Sequence, residues 1–287
     1  MASVVPLFRD GSFDAEATQA MGNAYDIACR SLRPKGRLPV IQELLAGKIV
    51  LAARRGERDP ERLAAIALEF LGAFHSDVTR RFGLVPNFFM STPDAPEIIE
   101  RLWGFAASAY LDNPIPTLFK ERLFVFLSRF CPIRYCIVRH TGFLVGYGDA
   151  AGDPAGHTQT IEQVIELLQT PPPWRRDLEP IYRSLAAMKK PVDWPAPGSE
   201  IEDQLFAVCT LIFVNPTQSE RALNALRQTL GGKRFEYVLA LLAFIRTAHF
   251  WTLVHPDIAM EDDVKELLQE HKELAALLLR EPEPLPA

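Results

Sequence analysis

Four cysteines scattered through 287 residues are too few for a disulfide framework, so a reducing, cytoplasmic setting is the expected one. A basic excess is missing too. The chain carries 31 Lys and Arg against 36 Asp and Glu, for a net charge of −5, and that balance excludes an electrostatic footprint for nucleic acid. No uninterrupted apolar run, Tyr237–Ile245 among the longest, reaches the length of a membrane span, so no membrane partner is expected. The amino terminus lacks a basic start followed by an apolar core, which argues against a signal peptide. Strand signals are lacking: no hairpin dipeptide lies between two alternating runs. No haem or flavin motif is found, and no cofactor is expected.

What is present is the composition of a soluble globular protein, 48% hydrophobic and 23% charged, in a chain long enough for one large domain or two small ones. The pattern is all-α throughout. Asp14 to Leu32 reads as an amphipathic helix, and Leu38 to Arg55 follows with a stripe of Ile41, Leu44, Leu45 and Ile49. Asp59 before Pro60 is an N-cap pattern for a helix to about Phe82. Asp94-Ala-Pro-Glu97, Thr160-Ile-Glu-Gln163, Ser199-Glu-Ile-Glu202 and Thr217-Gln-Ser-Glu220 have capping-box spacing. Lys190 to Gly198 is the strongest linker signal. Phe235 to about Val254 is a long helix, apolar around its circumference, which predicts central burial. Glu281 to Ala287 reads as a frayed tail. Gly142 and Gly146 either admit a close helix approach or merely weaken a helix end.

The chemistry concentrates between Glu121 and His140. Cys136 and His140 are spaced i, i+4 and share a face of a helix. Pro132 favours a break that puts Cys136 near a helix start, and a thiol at a helix N-terminus beside a histidine is the setting that lowers a cysteine pKa. Glu121 shares a stripe with Leu123, Phe124, Leu127 and Phe130, which points its carboxylate toward the apolar side. A buried carboxylate needs a partner, for which His140 is the candidate. The bland alternative is that Cys131 and Cys136 are small core hydrophobes and Glu121 a solvated or ion-paired helix residue. Cys29 and Cys209 stand in apolar helical surroundings and read as core. His75 and His157 read as packed or surface residues. Arg246 and His249, three apart, either face one pocket or act as buried polar anchors. Metal binding has three candidate ligands in Cys136, His140 and Glu121 but no fourth.

The stretch Glu121 to His140, with Phe82-Gly-Leu-Val-Pro-Asn-Phe-Phe upstream, resembles the AhpD-like, or carboxymuconolactone decarboxylase-like, family of small helical proteins. The family's signature is a glutamate on one helix, then Cys-x-x-Cys-x-x-x-His at the start of the next. Glu121, Cys136 and His140 fall at that spacing, while the first motif cysteine is replaced by Ile133 and Cys131 lies two residues earlier. The resemblance covers about residues 80 to 150. It implies an AhpD-like helical bundle, here duplicated or two-lobed. An N-terminal helical extension over 1–80 leads to the core with the site over 81–157. A connector and Pro-rich linker over 158–198 lead to a degenerate second half over 199–280, and 281–287 is the tail. It also implies association into a homo-oligomer.

Three functions follow. The first is a thiol-dependent hydroperoxidase in which Cys136 attacks a peroxide, Glu121 and His140 relay a proton, and Cys131 is the nearby resolving thiol, with an external thiol reductant needed if Cys131 does not reach. The second is a non-enzymatic redox sensor or scaffold that retains the fold. The third is a carboxymuconolactone decarboxylase-type enzyme, for which Arg129, Arg134, Arg139 and Arg246 are candidate cations for an acidic small-molecule substrate.

Overall fold

The computed structural model of the chain describes residues 13–32, 39–91, 95–149, 158–188 and 193–285. Among them are thirteen helices and no strand, so the chain is all-α. The cap expected at Asp94, and His157, lie outside the described residues. The fold divides into two compact units, Met1–Arg80 with Leu84–Gly104, and Arg81–Gly83 with Phe105–Ala287. The segment Leu84–Gly104, read in the sequence as the lead-in to the cysteine-bearing core, thus groups with the N-terminal helices.

The first unit is built on α1 (Ala15–Ser31), α2 (Pro39–Arg54), α3 (Pro60–Phe82) and α4 (Pro96–Ala106), the last two running on into the second unit. Asp14 caps α1 by accepting from the Ala17 amide, and Asp59 caps α3 by accepting from that of Arg62, each satisfying an orphan donor of the first turn. Met21, Ala24, Leu45, Ile49, Leu63 and Ala67 form its core. Beside it, Phe74, Phe89 and Trp103 meet edge-on, and Lys48 pairs with Glu100 while lying 4.0 Å over the Phe70 ring. Cys29, expected in the core, is only half-buried.

The second unit contains α5 (Thr117–Ser128), α6 (Tyr135–Leu144), α7 (Ile161–Gln169), α8 (Glu179–Ala186), α9 (Glu200–Val214), α10 (Glu220–Leu230), α11 (Gly232–Val254), α12 (Asp262–Glu270) and α13 (Lys272–Leu279). Its central element is α5, not α11. Ten of the twelve α5 residues are buried, the run Lys120-Glu-Arg122 included. Each of those charges has a partner: Lys120 donates to the Leu111 carbonyl at 3.0 Å, Arg122 forks onto Glu202 of α9 at 2.8–3.1 Å, and Glu121 belongs to the site below. Helix α11 buries only one face, and Phe250, Leu253 and Val254 on the other are 62%, 48% and 50% exposed. Taken whole, α11 is long and apolar enough to span a bilayer by length and composition, which no uninterrupted run in it suggested. Its buried face packs against α5, α6 and α9.

The capping box at Thr160 forms with Gln163. At Ser199 only half of one forms: the hydroxyl accepts from the Glu202 amide, but the Glu202 carboxylate turns to Arg122 and the Gly198 amide. The Thr217–Glu220 box does not form at all. Ser219 precedes α10, and its hydroxyl donates to the Leu211 and Asn215 carbonyls instead. Gly142 proves to be a close approach: a Cβ there would lie 2.6 Å from Val264 of α12 and 2.8 Å from the Arg139 guanidinium. Arg139 binds both oxygens of Asp263 at 2.9 Å, and Tyr135 donates to Glu261 at 2.6 Å, which fastens α6 to α12. The frayed tail is a further correction, because Arg280 to Leu285 is tied down. The Glu283 amide donates to the Arg129 carbonyl at 2.9 Å, and its carboxylate lies 3.1 Å from Arg280 and 3.4 Å from Arg175.

Candidate active site

The break at Pro132 separates α5 from α6, and Cys136 is the second residue of α6, as the spacing predicts. The hairpin of these two helices brings Glu121 to His140, with His140 Nδ1 2.8 Å from Glu121 Oε2. Glu121 is fully buried, and its other oxygen accepts from the Tyr110 hydroxyl. The His140 ring is stacked on Phe124, centroids 3.4 Å apart, and meets Tyr110 and Phe143 edge-on. A carboxylate that has lost water needs two such donors, and this one has them.

Tyr110 comes from a single π-helical turn, Ala107–Leu111, where the Asp112 amide reaches back to the Ala107 carbonyl at 2.7 Å. The extra residue in that turn rotates Tyr110 inward at the end of α4. The sequence pattern ends α4 at about Ala109, so Tyr110 was not a candidate. Nothing in residue spacing announces a π-turn.

Cys136 is 2% exposed, and its sulfur is 3.8 Å from Thr252 Oγ1 and 4.0 Å from the Ala248 carbonyl, both on α11. Cys131, 3% exposed, is buried on the other side of the Pro132 break. Both cysteines are free thiols. Burial pushes the Cys136 thiol far up, with the neighbouring Cys131 adding to the shift, and burial raises Cys131 as well. This reverses the activated thiol expected at a helix N-terminus: desolvation of the thiolate outweighs the helix end. Thr252 and Arg134 oppose the rise at both sulfurs. The Nε and Nη2 atoms of Arg134 are buried without a hydrogen-bond partner, and its charge is opposed by burial and favoured by Cys131, Glu281 and Cys136. The hydrogen bonds of Cys136 go to α11 and that of His140 to Glu121, so the i, i+4 pair is not directly hydrogen-bonded.

His249 of α11 completes the cluster, with Nε2 2.9 Å from the Ser128 hydroxyl. Burial, helped by His140, Arg134 and Arg246, pushes its imidazole down to about 3, so it is neutral near pH 7. Arg246 does not share that face; it is exposed, 5.8 Å from the Phe213 ring. Of the other candidate cations, Arg129 donates to the Phe126, Leu168 and Thr170 carbonyls and Arg139 to Asp263, which makes both structural. Cys209 is buried in α9, with its thiol pushed up to about 12 by burial. Among the described residues no three His, Cys, Asp or Glu side chains are grouped to hold a metal ion.

The cluster therefore combines two buried free thiols, one of them against the Thr252 hydroxyl, with a buried Tyr–Glu–His chain in which carboxylate and imidazole are within proton-transfer distance. No family model, curated protein or solved structure matches the chain.

Proposed function

We propose that the chain is an AhpD-like, thiol-dependent hydroperoxidase whose redox centre is the Cys131–Cys136 pair. The observation that supports this reading is the pair of buried free thiols on either side of the α5–α6 break, with Cys136 against Thr252, on the same hairpin as the Glu121–His140 pair. In the first step the Cys136 thiolate attacks the terminal oxygen of a hydroperoxide, the O–O bond breaks, and the alkoxide leaves as alcohol after taking a proton. The product on the protein is a Cys136 sulfenic acid. Glu121 and His140 supply and recover that proton, with Tyr110 holding the carboxylate. In the second step the Cys131 thiol condenses with the sulfenic acid, forming the disulfide and releasing water. Two equivalents of an external thiol then reduce the disulfide.

Burial holds both thiols protonated, and Thr252 and Arg134 act in the opposite direction without outweighing it. The test is intact-protein mass spectrometry after one equivalent of an organic hydroperoxide, on wild type and on Cys131→Ser. The expected result is loss of two hydrogens in wild type and gain of one oxygen in the variant. No mass change in either sinks the proposal.

A redox sensor without turnover is the second reading, and the deep burial of Cys136 favours it. Oxidation would then be stoichiometric. Peroxide consumption that stops at one equivalent with excess external thiol present selects this reading over the first.

A further inference from the structure

The carboxyl-terminal segment is fastened across the loop that carries the first thiol. The loop between α5 and α6 begins at Arg129, contains Cys131 and ends at Arg134. The backbone of Glu283 donates to the Arg129 carbonyl at 2.9 Å, and Arg134 Nη1 lies 3.4 Å from the Arg280 carbonyl. The segment is latched by charge. The Glu283 side chain is largely buried amid Arg175 at 3.4 Å, Arg280 at 3.1 Å and the Arg129 guanidinium. Arg280 in turn donates to the Leu168 carbonyl at 3.3 Å. Arg134 thus has the tail on one side and the two thiols on the other.

We propose that Arg280–Leu285 is a releasable strap that controls access to Cys131 and Cys136. The inference rests on the thiol site proposed above, but not on its reacting with peroxide. A segment without regular structure, held by one carboxylate among three arginines and by a few backbone hydrogen bonds, opens at a lower free energy than the helices beneath it. Opening frees Arg134 from the Arg280 carbonyl and uncovers the loop. With the strap closed, Cys131 and Cys136 are 3% and 2% exposed.

The experiment uses the full chain and an alkylating reagent, iodoacetamide, without any peroxide. Site-resolved mass spectrometry follows each cysteine in wild type and in Glu283→Lys, which places a fourth cation among the arginines. Hydrogen exchange at the Glu283 amide reports the strap. The expected result is fast exchange at Glu283 and alkylation of Cys131 and Cys136 faster by about tenfold or more, with Cys209 unchanged. Fast exchange with unchanged alkylation overturns the proposal, as does an unchanged exchange rate, which would remove Glu283 as the latch. If Cys209 also accelerates, the fold has loosened. Glu283→Gln, which removes the latch charge without adding a cation, is then measured by the same criteria. Because the readout needs no peroxide, failure of the strap and failure of the hydroperoxidase reading are distinguishable.

Discussion

Glu121 is the residue on which the proton chemistry turns. It has no exposed surface, and its two oxygens are committed to Tyr110 and His140. Glu121→Gln keeps the shape and one acceptor but removes the carboxylate. The rate of hydroperoxide reduction is expected to fall about 10²–10⁴-fold, the usual worth of a positioned acid or base, while the circular dichroism spectrum is unchanged. A rate within a factor of two of wild type would remove Glu121 from the mechanism. His249 yields a pH prediction. Its folded pKa of about 3 lies below the ordinary value of 6.5, so between those values the unfolded chain binds the extra proton. Stability from this group is fully present above about pH 6.5 and declines as the pH falls toward 3, with a slope of at most about 1.4 kcal/mol per pH unit. His249→Gln, which can still meet Ser128, should flatten the dependence of the urea midpoint on pH over that interval. Identical slopes for the two proteins would contradict the assignment.

Helix α5 poses the question at the scale of the element. Its polar run Lys120-Glu-Arg122 has the look of a solvated face, yet it is buried because α9, the Leu111 carbonyl and the α6 histidine supply partners. The Arg122–Glu202 pair is a buried ion pair between α5 and α9, with side chains 6% and 3% exposed. Arg122→Met alone leaves an uncompensated carboxylate and should cost about 3–5 kcal/mol in chemical denaturation, whereas Arg122→Met with Glu202→Leu should recover most of that loss. A double variant no better than the single one would mean that packing, not the lost partner, sets the cost. Helix α11 shows the opposite error. Its apolar circumference suggests central burial, but its outer face is exposed, because α5 already occupies the middle of the unit. A hydrophobic count measures what a helix tolerates; its neighbours determine what it buries.

For the whole molecule, the burial of the four cysteines makes a joint prediction. Cys29 is half-buried in α1, while Cys131, Cys136 and Cys209 are buried. Under native conditions Cys29 should therefore be alkylated first. Cys131 and Cys136 should follow through opening of the strap, and Cys209 should react last, only on larger-scale unfolding. Peptide-resolved mass spectrometry over a time course checks the order, and equal rates at Cys136 and Cys209 would place both behind the same opening.

The all-α class, most helix limits, the Asp59 and Thr160 caps, the break at Pro132 and the Glu121–His140 pairing were legible in the sequence. Each depends on neighbours within about twenty residues, where periodicity and cap chemistry act directly. The rest was decided by tertiary structure. Thr252 and His249 reach the site from α11, more than a hundred residues away along the chain, Tyr110 enters through a π-turn, and Glu283 crosses back to Arg129. Spacing near the cysteines predicts an activated thiol because a helix end and a histidine favour the thiolate. The folded protein withdraws water from Cys136 and moves its pKa the other way, and desolvation is a property of the surroundings that only the packed chain supplies.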